Sequence, residues 1–384
     1  MIDQNRAHED GDTPVTIVTG FLGSGKTTLL NRALRDPAMA RTLLVINEFG
    51  EISIDHALTT ASNDSVVVLQ SGCLCCTVFG DLVGTFNRLY CARESGEIAF
   101  DHVIIETSGL AEPAPVLQAF LSQPTLKSLY RVSAVITTID AINGPHTLAG
   151  HAVSMAQAAL ADHLLITKLD LVPEATRAAT RAALTVQLRR INRTASIDAV
   201  DDPAVDPIGL MREAGPDPSK GADSAKAWLE AAMGPPASES DEHEHGHEHR
   251  NGHDREQHVP RRGTESVQQY GTEHQHATDI ATFNWIRENP LTAEALQLLL
   301  TSLERHLGPQ LLRVKGLIHI VEEPARPLVV QGAQHLLHNL SWLPKWPDAD
   351  RRTRIVFITQ GIAAGDLAEL VGMLDRLAQR AAHG

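Results

Sequence analysis

The stretch Gly20-Phe21-Leu22-Gly23-Ser24-Gly25-Lys26-Thr27-Thr28 constrains the fold more than any other. It fits the phosphate-binding pattern G-x-x-x-x-G-K-[ST]. An apolar β-type run, Val15 to Thr19, precedes it, and Leu29-Leu30-Asn31-Arg32-Ala33-Leu34 opens a helix after it. The glycines let the loop curl so that backbone N–H groups face a phosphate chain. The helix beginning near Lys26 adds the positive end of its dipole. On this reading Gly20, Gly23, Ser24, Gly25, Lys26, Thr27 and Thr28 hold a nucleoside triphosphate. Lys26 reaches the outer phosphates and the Thr27 hydroxyl ligates Mg²⁺.

Further apolar runs repeat the theme. Arg41 to Ile46 leads into Asn47-Glu48-Phe49-Gly50-Glu51, and Val66 to Leu69 leads to Gly72-Cys73-Leu74-Cys75-Cys76. Val103-Ile104-Ile105 ends in Glu106-Thr107-Ser108-Gly109, Ser133 to Thr138 precedes Asp140, and His163 to Ile166 runs into Thr167-Lys168-Leu169-Asp170. Helical sequence lies between, from about Asp81 to Arg93 and from Glu174 to Arg190. Such alternation predicts an α/β fold, a P-loop NTPase domain with a mostly parallel sheet covered on both faces. Ligands then belong at the carboxyl ends of the strands, where each of these motifs falls.

At 384 residues, two domains are expected. Residues 1–12 read as a disordered lead-in and 13–232 as the nucleotide-binding domain. Residues 233–276 read as a flexible His-rich linker, because they hold almost no apolar side chains. Residues 277–384 read as a smaller α+β domain with one antiparallel sheet. Its expected strands are Thr278 to Trp285, Leu312 to Val321, Leu328 to His335 and Arg354 to Thr359. One helix carries Leu296, Leu299, Leu300, Leu303 and Leu307 at helical spacing, and another covers Asp366 to Ala381. The formal charge of −14 argues against a nucleic-acid or anionic-membrane partner. No apolar run approaches the roughly 20 residues of a membrane span. The polar start lacks a signal-peptide core, so a cytoplasmic location is expected.

The chemistry expected at the strand ends is specific. Thr167-Lys168-Leu169-Asp170 is similar to the guanine-reading motif N-K-x-D, with Thr in place of Asn. A carboxylate at Asp170 can accept from guanine N1–H and N2–H₂, a donor pair adenine lacks. Lys168 would lie along the base. Glu106 stands where an acid supports Mg²⁺ or its water, and Gly109 can bring a backbone N–H toward the γ-phosphate. Asn47 to Glu51 occupies the place of a switch segment, with Gly50 permitting backbone change. Cys73, Cys75 and Cys76 offer thiolates of the kind Zn²⁺ or Cu(I) prefers. A redox pair of Cys73 with Cys76, or inert buried thiols, are the competing readings. Cys91 is expected to pack within a helix. His243, His245, His247 and His249, with His253 and His258, read as low-affinity metal capture or as a solvated spacer. His319 and His335, on expected strands, read as packed residues.

Taken together, residues 20–28, 47–51, 72–76, 106–109 and 167–170 resemble the CobW-type P-loop GTPases, the zinc-regulated GTPase metalloprotein activators. Gly-Cys-Leu-Cys-Cys between the switch segment and Glu-Thr-Ser-Gly is the most specific element. Arg326-Pro327-Leu328-Val329-Val330-Gln331-Gly332 and Trp346-Pro347 resemble that family's C-terminal domain. The resemblance implies a metallochaperone that hydrolyses GTP and hands Zn²⁺, or Co²⁺ in some relatives, to a client metalloprotein. It implies Cys73, Cys75 and Cys76 as metal thiolates, with Glu48 a candidate oxygen neighbour. Lys26, Glu106 and Gly109 would serve hydrolysis. A nucleotide-binding zinc buffer and an ATP-dependent small-molecule kinase are the alternative functions. The oligomeric state and the client are open.

Overall fold

The computed structural model describes residues 13–49, 66–71, 77–212, 222–233, 280–333 and 336–382. The strands of the first part are β1 (Thr13–Thr19), β2 (Thr42–Phe49), β3 (Val66–Ser71), β4 (His102–Thr107), β5 (Tyr130–Asp140), β6 (His163–Thr167) and β7 (Ser196–Ala199). Its helices are α1 (Lys26–Ala33), α2 (Thr77–Glu94), α3 (Ala114–Ser122), α4 (Pro124–Leu129), α5 (Gly144–Gly150), α6 (Ala152–Leu160), α7 (Glu174–Ile191) and α8 (Pro207–Arg212). After α9 (Ala222–Met233) come β8 (Ile280–Arg287), α10 (Ala293–Leu307), β9 (Leu311–Ile318), β10 (Leu328–Ala333), β11 (Leu336–Trp342), β12 (Thr353–Gln360) and α11 (Ala364–Ala382).

The first seven strands form one sheet in the order β3-β2-β4-β1-β5-β6-β7, with every pairing parallel. Parallel strands need helical crossovers, and the crossovers cover both faces. The strand residues therefore alternate between two apolar layers. Val15, Ile17, Val45, Val103 and Ile105 pack with α2, α3, α6 and α7 on one side. Val18, Leu44, Ile46 and Ile104 pack with Leu29, Leu30 and Ala33 of α1 and Met211 of α8 on the other.

The last five strands form an antiparallel sheet in the order β11-β10-β9-β12-β8. On β12, Ile355 and Phe357 face α10 and α11, with Leu296, Leu299, Leu300, Leu303 and Leu307 completing that core. Val356 faces the opposite way and joins Ala225, Trp228 and Leu229 of α9. Ile358 points the same way and packs into the core of the first sheet with Leu312. One face of the second sheet is thus shared between α9 and the first α/β layer. The helix α9 precedes the expected linker, yet its apolar side covers the second sheet.

Among the described residues no helix is long and apolar enough to cross a membrane. His319 lies one residue beyond β9 rather than within it, edge-on to Trp346 at 5.4 Å. The position of Cys91 corrects the expectation that it packs: it sits on α2 but is exposed. His335 lies outside the described residues.

A polar cluster crosses the first sheet at the start of its central strands. The His102 ring, 1% exposed, meets Thr16 Oγ1 through Nε2 at 3.1 Å and Thr42 Oγ1 through Nδ1 at 3.2 Å. Thr16 donates to the Met211 carbonyl at 2.6 Å, so the His102 Nε2–H donates to Thr16. Burial first, and then Arg212, push the His102 pKa down to about 4, against the pull of Asp101. The unfolded ring takes its proton near pH 6.5. Below that pH the unfolded chain binds the proton first, so stability falls as pH drops from about 6.5 to about 4. The loss expected is roughly 3 kcal/mol. His102→Gln should weaken the fold at pH 7 and remove this part of the pH dependence. Equal slopes for the two proteins in thermal unfolding across that window would refute the assignment.

Candidate functional site

The loop between β1 and α1 curls back over the ends of β4, β5 and β6. Gly20 has φ +140° and Gly25, which caps α1, has φ +94°. These are conformations that side-chain-bearing residues avoid. A Cβ on Gly20 would lie 2.5 Å from the Thr138 carbonyl oxygen and closer still to its hydroxyl. The loop thus approaches β5 to a distance that only glycine permits. Ser24 Oγ, 3% exposed, shares a 2.7 Å hydrogen bond with Thr138 Oγ1. Thr167 Oγ1 donates to the Ser24 carbonyl at 2.7 Å. Thr167, in the place of the expected Asn, therefore ties the segment after β6 to the phosphate loop.

Lys26 is 8% exposed and folds over the loop, donating through Nζ to the carbonyls of Gly20 at 2.7 Å and Phe21 at 3.3 Å. Thr27 Oγ1 donates to Glu106 Oε1 at 3.1 Å. Glu106 stands near the end of β4 and is 6% exposed. The hydroxyl and the acid named from sequence therefore meet, although 79 residues separate them. Gly23 belongs to the same loop at φ +71°, and Thr28 is exposed on α1. A Cβ on Gly109 would meet Leu22 N at 2.7 Å. The segment after β4 thus lies directly against the phosphate loop.

Two residues that sequence reasoning did not single out hold this arrangement. Gln157 on α6 is 0% exposed and donates through Nε2 to the carbonyls of Gly109 at 3.2 Å and Ala111 at 3.0 Å. Asp140, at the end of β5, receives Lys168 Nζ at 2.7 Å. It also accepts from the Ile142 amide, the Asn143 amide and the Asn143 side chain. Burial raises the Asp140 pKa, but these donors, Lys168 foremost, outweigh it and hold the carboxyl below its usual range. The signal was present: an acid directly after an apolar strand is the pattern that picked out Glu106. Lys168 takes φ +61°, the left-handed region, and Asp170 follows on an exposed turn.

Cys73, Cys75, Cys76, His243, His245, His247 and His249 lie outside the described residues, and the side chain of Glu48, on β2, does as well. Among the described residues no three His, Cys, Asp or Glu side chains gather as a metal site.

Two family models account for most of the chain. The CobW/HypB/UreG nucleotide-binding domain matches residues 14–198, and the cobalamin synthesis protein CobW C-terminal domain matches residues 280–374. The chain belongs to the CobW family. It is 29% identical to the zinc chaperone YjiA of Escherichia coli (strain K12) over 344 residues, 90% of this chain and 93% of that one. It is 34% identical to the zinc-regulated GTPase metalloprotein activator 1 of Schizosaccharomyces pombe over 41% of this chain and 39% of that protein. A match to the zinc chaperone CobW of Sinorhizobium sp is 40% identical and spans 34% of this chain and 37% of the relative. The solved structure of Zn(II)-bound YjiA GTPase from E. coli shares the fold, with a TM-score of 0.62 at 24% identity over 94% of this chain and 99% of that one.

Gly20→Ala should be worse tolerated than Gly23→Ala, where an added Cβ meets nothing within 4 Å. Gly23→Ala carries backbone strain of about 1–2 kcal/mol. Gly20→Ala adds the clash with Thr138, for about 3 kcal/mol or more. Thermal unfolding of the two variants checks the order, and an equal loss would contradict the close approach.

Proposed function

We propose that this protein hydrolyses GTP and uses the nucleotide cycle to control a Zn²⁺ ion carried on Cys73, Cys75 and Cys76 for a client metalloprotein. The observation that carries the hydrolytic half is the 3.1 Å hydrogen bond from Thr27 to Glu106 beneath the Lys26 loop. A hydroxyl and a carboxylate oxygen are donors that suit a hard cation. Mg²⁺ held there with nucleotide would neutralise charge on the phosphate oxygens.

The chain's own residues divide the work as follows. The glycine turns and the first turn of α1 present backbone amides to the phosphate chain. Lys26 exchanges its loop carbonyls for the outer phosphates. Glu106, fixed at a strand end, orients the water shell beside the γ-phosphate. Gln157 holds the Gly109 to Ala111 backbone against Leu22, so the γ-phosphate is approached by a positioned loop. Asp170 stands exposed beyond Lys168, free to take the guanine edge, while Asp140 fixes the Lys168 ammonium.

The zinc half is supported by the three thiols of the sequence and by relatives named as zinc chaperones. The thiols fall between β3 and α2, and so between the two segments expected to respond to the γ-phosphate. A movement of either segment changes thiol spacing and hence metal affinity. The relatives' names support a client that receives the metal, with Co²⁺ as a second cargo to test.

Two outcomes are expected. Glu106→Gln should leave GDP binding near wild type and slow GTP turnover at least ~100-fold. Unchanged turnover would remove Glu106 from the mechanism. Zn²⁺ affinity, measured by competition with a chromogenic chelator, should differ about tenfold between a non-hydrolysable GTP analogue and GDP. It should be lost on changing all three cysteines to Ser. Identical affinity with either nucleotide and with none would end the coupling.

A further inference from the structure

We propose that the cleft between the two sheets is a binding site for a small phosphate-class anion, separate from the phosphate loop. The cleft has a volume of ≈ 120 Å³ and is walled by α3, α4 and the start of β5 on one side and by β9, β10 and β11 on the other. The phosphate loop meets β5 at Thr138, toward that strand's carboxyl end, whereas the cleft lies at its amino end, around Tyr130 to Ser133.

Its charge is one-sided. The charged side chains lining it are Lys127, Arg131, Arg313, Lys315 and Asp162. The single carboxylate is fully engaged: Asp162 Oδ1 receives Arg313 Nη2 at 2.5 Å and Lys315 Nζ at 2.7 Å, and Oδ2 receives the Val135 amide at 2.9 Å. Burial alone would raise the Asp162 pKa, but the two cations hold it far below the usual range. The side chains of Lys127, exposed, and Arg131, half-buried, have no hydrogen-bond or ion-pair partner among the described residues. Four cations therefore share one acid, in a chain whose formal charge is −14.

The walls sharpen this field. Leu117, Phe120, Val132 and Val314 line the same cleft, and apolar walls lower the local dielectric around the cations. A guanidinium and an ammonium beside apolar side chains suit an oxyanion of double charge. A water needs about 10–15 Å³ of such space, so the cleft admits a small oxyanion and not a folded partner. The chemistry is that of phosphate, free or as the end group of a small phosphomonoester. Because its lining comes from both sheets, a bound anion would also stabilise their docking.

The test uses the full chain, stripped of metal and nucleotide, at constant ionic strength with chloride as the balancing ion. Inorganic phosphate is titrated by calorimetry and by ³¹P line broadening. The phosphate loop is itself a phosphate binder, so Lys26→Ala is measured beside the wild type. One phosphate site should survive Lys26→Ala and weaken at least tenfold when Lys127→Glu and Arg131→Glu are added. Phosphate should also raise the unfolding temperature of Lys26→Ala and not that of the added pair. If the charge reversals unfold the chain by circular dichroism, Lys127→Ala with Arg131→Ala serves in their place. Glycerol phosphate in a parallel titration separates the sources. Tighter binding than phosphate assigns a phosphomonoester, and equal binding assigns the free ion. Loss of all phosphate binding in Lys26→Ala, or a site indifferent to positions 127 and 131, would overturn the proposal.

Discussion

Threonine hydroxyls at the carboxyl ends of the central strands hold the phosphate loop, and the site depends on that anchoring. A glycine-rich loop loses more chain entropy on ordering than any other sequence of its length. Its backbone groups also leave the ladder and need other partners. Thr138 meets both demands, sharing a hydrogen bond with Ser24 and donating to the Thr19 carbonyl. Thr167 takes the Ser24 carbonyl, and Thr107 donates to Thr19. A β-branched residue suits a buried strand, and its hydroxyl supplies a donor where the ladder stops. Valine of the same shape would leave those acceptors buried and unpaired.

The same logic applies one strand further on. Lys168 takes a left-handed backbone that costs a side-chain-bearing residue about 1–2 kcal/mol. Its ammonium closes on Asp140, a carboxylate already held by two amides and an Asn side chain. The ion pair offsets the strain and fixes the turn on which Asp170 stands. Strain of this kind persists where surrounding bonds over-determine it, which is why it gathers at sites.

Local signals carried much of this into the sequence. The strand, loop and helix around Gly20 to Thr28 are contiguous, and apolar runs mark the β1, β2, β4, β5 and β6 cores. What escaped had little local pattern. The four residues of β7 are too short for a period, and β11, Leu336–Trp342, interrupts its apolar residues with His, Asn and Ser. The helix α6, Ala-Val-Ser-Met-Ala-Gln-Ala-Ala-Leu, is buried along most of its length and so shows no polar stripe. Gln157 could be seen only with its partners, which lie 46 to 48 residues away, whereas Asp140 closes an apolar run as Glu106 does and lacked only its partner Lys168, 28 residues on. Arg313 and Lys315 sit in a run that reads as a core strand, and their acid is more than 150 residues distant. The three thiols and the linker histidines, which the sequence made conspicuous, lie outside the described residues.

That same helix α6 joins the loop chemistry to the second sheet. Its capping residue His151 stacks on Phe21 of the phosphate loop at 4.6 Å. Gln157 grips the carbonyls of Gly109 and Ala111. At its end the Leu160 carbonyl and the Asp162 carboxylate receive Arg313, and Asp162 also receives Lys315. Nine helical residues span only about 13 Å, and a single short helix does not bend appreciably over that length. Parting the second sheet from α6 would leave a buried carboxylate without its cations, at about 3–5 kcal/mol. Breaking the Gln157 contacts would strand two carbonyls at about 1–3 kcal/mol each. The loop after β4 and the second sheet are thus fastened to the same short helix, the one through Gln157 and the other through Leu160 and the adjoining Asp162.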